Sequence, residues 1–222
     1  MLFNFSFHKK RFYGHIISLG YNCEVSFQFF KKYNFVESSL FAWCNVVDCT
    51  NLTYVLKNLD LLTSKGLKNR GSMYEDLATS IYFHSKDGYT EKEALAELTD
   101  RILYLKEKFI KTTYDGKKNL YIFKYPPLKH NTDVVYTNII SLYQQLNKIV
   151  KNNFDLLIIL EKEMNTDLHF NEQNIYIRRV IFYTPENLVT SKPYDKKHYG
   201  KIFSEFCPDF KLEKTKNFKF ER

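Results

Sequence analysis

The chain has 222 residues, with 33 Lys and Arg against 25 Asp and Glu, and a formal net charge of +8. Its 44% hydrophobic and 17% aromatic content is enough to build a substantial core, which excludes a disordered chain. The basic excess points to an anionic partner (a phosphate, a nucleotide, an acidic glycan, RNA or a lipid surface), but the lysines are spread along the chain, which argues against dedicated nucleic-acid binding.

The length suits a single domain over 1–222, with 1–13 a loose basic-aromatic lead-in and 185–222 an extension without clear pattern. Seven scattered glycines supply no phosphate-cradling loop. The four cysteines, Cys23, Cys44, Cys49 and Cys207, form no CxxC pair and follow no secretory signal. Free thiols in a reducing cytoplasm are the expectation. No apolar run approaches the length of a membrane span, and no His/Cys spacing suggests a metal site.

In chain order, Ile16, Ile17 and Leu19 read as a short buried strand. Gly20 permits a sharp turn, and Asn22 is placed to cap a helix that begins with Cys23 and carries Val25, Phe29 and Phe30 on one face. A thiol there would lie against unpaired backbone N–H groups and the positive end of the helix dipole, a seat for a nucleophile that titrates below a free thiol. The competing reading is a small apolar residue in the core.

Phe35–Trp43 reads as extended, Asp48 as the cap of a helix bearing Leu52, Val55 and Leu56, and 63–79 as irregular. Ile81–His84 resembles a strand that delivers His84 at its end, before the turn Ser85-Lys86-Asp87-Gly88. Thr90 and Glu93 form a capping box for a long helix through Leu98, Ile102 and Phe109. Leu120–Phe123 is a strand, Asp133 opens a further helix, Leu156–Leu160 is an uninterrupted apolar strand, and Ile175–Tyr183 is another.

This alternation predicts an α/β fold of three layers, a central, mostly parallel sheet flanked by helices, with Leu120–Phe123 and Leu156–Leu160 adjacent in its interior. Loops at the carboxyl ends of the strands are then the expected place for a site. Of the six histidines, His84 has the best position to serve Cys23 as a base within hydrogen-bond reach. The backbone N–H groups after Asn22 could hold an oxyanion. Trp43 is expected to wall or underlie the pocket.

The segments Ile17-Ser18-Leu19-Gly20-Tyr21-Asn22-Cys23, Phe41-Ala42-Trp43 and Tyr82-Phe83-His84 together resemble the bacterial domain-of-unknown-function group described as papain-like cysteine peptidases, whose members carry SLGxNC, PFDW and a later aromatic-His pair. The resemblance spans roughly 15–160. It implies a Cys23–His84 catalytic pair, a substrate-binding role for Ser18, Gly20, Tyr21 and Trp43, and further contacts from Arg101 on the long helix and Lys124 at the end of the Leu120 strand.

It also implies acyl or acetyl transfer, or hydrolysis, on capsule or lipopolysaccharide precursors, with coenzyme A (acetyl-CoA) as a cofactor and an anionic sugar compound as partner. Two positions depart from the pattern. Ala42 stands where the group has aspartate, which leaves Asp87 or Asn45 to orient the histidine. Lys124 stands where it has arginine and loses the bidentate fork. A parallel sheet also differs from the antiparallel sheet of papain. Ala42 keeps open an inactive binding or scaffold protein of the same pathway, and the basic charge a nucleic-acid-binding protein.

Overall fold

The structure is a computed structural model that describes residues 12–21, 23–34, 38–126, 131–162, 164, 168–180 and 196–207. Its main sheet holds β1 (His15–Ser18), β6 (Asn119–Lys124), β7 (Phe154–Glu161) and β8 (Ile175–Val180) in the order β1-β6-β7-β8, and every neighbouring pair is parallel. The fold is thus α/β, with the two most apolar strands adjacent in the interior, as their composition predicts.

Alternation along these strands feeds two cores. Ile17, Tyr121, Phe123, Leu156 and Ile158 share one core with α3 (Glu91–Thr112) and α4 (Thr132–Ile149). Ile16, Leu120, Ile122, Leu157 and Ile159 share the other with α1 (Glu24–Tyr33) and α5 (Lys196–Phe206). Helices on both faces of one sheet make the three layers. α5 lies within the stretch that carries no clear sequence pattern. It is recruited by tertiary packing: the Phe29 and Phe203 rings meet edge to face at 5.2 Å, and the Tyr33 hydroxyl donates to the carbonyl oxygens of Phe203 and Cys207 at 3.0 and 2.9 Å.

Between α1 and α3 the chain builds a second, antiparallel sheet in the order β2-β5-β4-β3, from β2 (Cys44–Asn45), β3 (Leu67–Asn69), β4 (Tyr74–Asp76) and β5 (Tyr82–Phe83). This corrects two expectations. Residues 63–79 are not irregular: β3 and β4 pair as a hairpin around Gly71, whose φ is +85°. Residues 40–43 form a turn rather than an extended strand, and only Cys44–Asn45 pairs; residues 35–37 lie outside the described residues. Phe41 anchors this turn, its ring edge-on to Phe109 of α3 at 5.4 Å.

The helix starts follow their caps. The Asp48 carboxylate accepts from the Asn51 amide at 2.7 Å to open α2 (Cys49–Lys57), and the Thr90–Glu93 box opens α3. α4 is capped by Asn131, which accepts from Val134 N at 2.9 Å, while Asp133 sits inside the first turn and complements the dipole there. No helix among the described residues is long and apolar enough to cross a membrane.

Asp76 holds the second sheet to its loops. Fully buried, it accepts from Thr63 N at 2.7 Å through one oxygen, and from Thr79 N and Thr79 Oγ1 at 2.9 and 2.7 Å through the other. Asp76→Ala leaves Thr63 N and Thr79 Oγ1 without these acceptors and is expected to cost about 2–4 kcal/mol, read as a lower urea midpoint with an unchanged slope.

Candidate functional site

β1 delivers its carboxyl end to a crowded junction. Ser18 is buried, and its hydroxyl finds no hydrogen-bond partner among the described residues. Leu19 N continues the ladder to Ile122 O at 2.8 Å. Gly20 then turns the chain with φ +89°. A Cβ built on Gly20 would lie 2.7 Å from Val46 Cγ2 and 3.3 Å from Cys44 Sγ, so both its conformation and its contact with β2 demand glycine. Tyr21 also has a left-handed φ, +70°, an uncommon conformation for a residue with a side chain.

Asn22 lies outside the described residues. Cys23 itself is the N-cap of α1, with φ −74° and no side-chain capping bond, and Glu24 is the first helical residue. The expected arrangement, Asn22 capping and Cys23 inside the helix, is thus displaced by one position. Cys23 is still the only one of the four cysteines that is not buried.

The surroundings of the thiol are not those of an activated cysteine. Burial pushes its pKa up and the Glu24 carboxylate adds to this, while its own backbone amide and Lys124 pull the other way. This runs against the expectation that Cys23 titrates below a free thiol: desolvation of the half-buried sulfur is the largest influence and acts upward. Cys44, Cys49 and Cys207 are buried and driven up by desolvation as well, Cys207 to about 12.

The charged core of the site is an ion pair. Lys124, at the carboxyl end of β6 and 2% exposed, donates from Nζ to Glu24 Oε2. The same ammonium lies 5.5 Å from the centroid of the Tyr21 ring. Burial raises the Tyr21 phenol pKa, and the charges of Glu24 and of Glu161, at the end of β7, raise it further. Despite the net charge of +8, carboxylates act on Tyr21 alongside the Lys124 cation.

His84 follows β5, in the second sheet. It is exposed, and no hydrogen bond joins its ring to the Cys23 thiol among the described residues. A strand end places a residue at a sheet's rim without saying which sheet, and here there are two. Trp43 and His84 are the residues next beyond the Cys44–Phe83 pair, so they come together at the end of the β2–β5 ladder. The Arg101 guanidinium donates to the His84 carbonyl and pairs with Glu97 Oε1 at 3.3 Å. That fixes the backbone of the His84 turn instead of leaving Arg101 free for a substrate. Asp87 is exposed in the turn and makes no hydrogen bond to His84 among the described residues. Ala42 is buried in the core, so no carboxylate occupies the place of the group's aspartate.

Beside the second sheet lies a cleft of about 400 Å³ lined by Tyr21, Asn45, Val46, Val47, Met73 and Tyr82, within the size range of small-molecule sites. Asn45 Nδ2 donates to Met73 Sδ at 3.3 Å, which orients the amide on one wall. Glu24, Glu161, Met73 and Tyr82 escape a reading of sequence alone. Glu24 looks like an ordinary first-turn acid, although a lysine ending an apolar strand is a signal that a buried carboxylate waits for it. Among the described residues no group of three or more His, Cys, Asp or Glu could hold a metal ion.

At neutral pH Cys23 should be alkylated by iodoacetamide more slowly than free cysteine, with the rate rising at higher pH because the raised pKa delays formation of the thiolate. His84→Ala should leave that rate unchanged. A slower His84→Ala protein would mean that the ring reaches the sulfur.

No family model, curated protein or solved structure matches this chain, so the chemistry of the site rests on its own geometry.

Proposed function

We propose that the chain is a thiol-dependent enzyme in which Cys23 takes an acyl group from an activated donor, as an acyltransferase or hydrolase. One observation carries the reading. The only cysteine not buried sits at the N-terminus of α1, uncapped by any side chain, at the carboxyl end of β1 and within the field of a buried lysine. A tetrahedral oxyanion formed on the thiol would meet the first-turn N–H groups of α1.

In the step itself the sulfur forms a bond to the acyl carbon, the donor's carbon–sulfur bond breaks, and the thiol proton leaves with the departing thiol. An acceptor hydroxyl or water then takes the acyl group and returns the proton to Cys23. The resemblance of Ile17–Cys23 to SLGxNC extends this reading to coenzyme A as donor and surface-polysaccharide precursors as acceptors, and the net charge of +8 suits their phosphates.

A second reading, a binding or scaffold protein with the same cleft, is favoured by the raised thiol pKa and by the lack of a bond between His84 and Cys23. Incubation with acetyl-CoA and intact-mass measurement separates the two. The enzyme reading expects a mass gain of one acetyl group that disappears in Cys23→Ser. Saturable coenzyme A binding without the adduct turns the assignment to the scaffold, and tight, salt-sensitive RNA binding turns it to nucleic acid.

A further inference from the structure

We infer that the cleft beside the second sheet takes one uncharged, planar heteroaromatic ring of the nucleobase kind. Cys23 is not among the residues that line it, so the inference stands apart from the reading of the thiol.

Strand pairing builds the floor. Cys44, Phe83 and Tyr74 are in register across β2, β5 and β4, and all three turn into the core. Alternation sends the next set in register, Asn45, Tyr82 and Glu75, to the opposite face of the sheet. Asn45 and Tyr82 are directly opposed, which puts their side chains side by side, about 5 Å apart at Cβ. β5 lies between β2 and β4, so the backbone under Tyr82 is held on both sides. Glu75 on the same face is taken up by Arg70, whose Nε donates to Oε2 at 2.6 Å, and it does not line the cleft. Tyr21 stands at the cleft with its left-handed φ of +70°, and backbone strain of this kind collects at ligand clamps.

The chemistry of the lining selects the ligand. No lining side chain carries a formal charge, so a phosphate or carboxylate would find no cation there. Val46, Val47 and Met73 give apolar walls, and Tyr21 and Tyr82 give aromatic surface. Among the described residues neither phenol hydroxyl makes a hydrogen bond, and the Asn45 amide spends one N–H, on Met73 Sδ at 3.3 Å. Asn45 therefore keeps its carbonyl oxygen and a second N–H for a ligand. One acceptor beside one donor matches the edge of a nucleobase, and tyrosine faces stack on its plane. A sugar would bring a rim of hydroxyls, most of which these apolar walls would leave unpaired.

The test is calorimetric titration of the full chain with four probes: adenosine, AMP, purine riboside (adenosine without its exocyclic amine) and methyl α-glucoside. Adenosine should bind saturably, and AMP within about twofold of it because no cation meets the phosphate. Purine riboside should bind about tenfold more weakly than adenosine, and Asn45→Leu should make the two equal. Tyr82→Leu should weaken adenosine about tenfold by removing a stacking face. Val47→Glu, at a position already 53% exposed, should weaken AMP more than adenosine.

The inference is overturned if adenosine does not bind saturably, or binds Tyr82→Leu as well as the unaltered chain. It is also overturned if AMP binds more than about tenfold tighter than adenosine, or if methyl α-glucoside binds tighter than adenosine. Cys44, Cys49 and Cys207 are buried, so their alkylation reports a variant that has unfolded. If Tyr82→Leu or Asn45→Leu does so, Val47→Glu and the comparison of adenosine with purine riboside on the unaltered chain decide. Acetylation of Cys23 is read separately by mass, so this inference and the enzyme reading fail separately.

Discussion

The constraint on which the site depends is the fit at Gly20. The first parallel strand ends where β2 presses Val46 and Cys44 against the turn, leaving no room for a side chain. That contact sets the second sheet against the first. Just beyond it Tyr21 is left-handed beside the cleft, and α1 packs over Ile16 and Ile122. With the thiol half-buried, desolvation is the largest influence on it, whereas a helix end open to solvent would have favoured the thiolate.

The same crowding explains why the ion pair is buried. Lys124 continues the face of Leu120 and Ile122, and α1 covers that face. A lysine there is tolerated because Glu24 arrives on the covering helix. The pair resembles other buried ion pairs in that desolvation offsets much of its Coulombic gain. Its presence therefore adds little net stability, although removing either partner alone would leave a buried charge unpaired by the other.

Much of the fold is legible in the sequence because its signals are local and strong. Leu156–Leu160 and Leu120–Phe123 are uniformly apolar, as strands buried on both faces must be, and the Thr90–Glu93 box marks a helix start without ambiguity. What escapes is settled by distant contacts. β3 is half polar and exposed, and it becomes a strand only because Tyr74–Asp76 pairs with it. α5 forms a layer only because Phe29 and Tyr33 receive it. Asn131 and Asp133 are both sound caps by type, and the choice between them lies in the backbone.

The site is legible in part for the same reason. Gly20, Tyr21 and Cys23 are contiguous, so the strand–turn–helix unit carries them wherever it goes. A histidine partner is a long-range property. The aromatic residues before His84 identify a strand end, but the strand joins the antiparallel sheet, where Arg101 holds the backbone of the turn and the imidazole faces outward. Net charge misleads in the same way. The excess of +8 belongs to the whole chain, whereas Tyr21 has the charges of Glu24 and Glu161 acting on it and the Lys124 ammonium over its ring. In a medium of low polarity the nearest charges dominate distant ones, so a formal total says little about any one buried group.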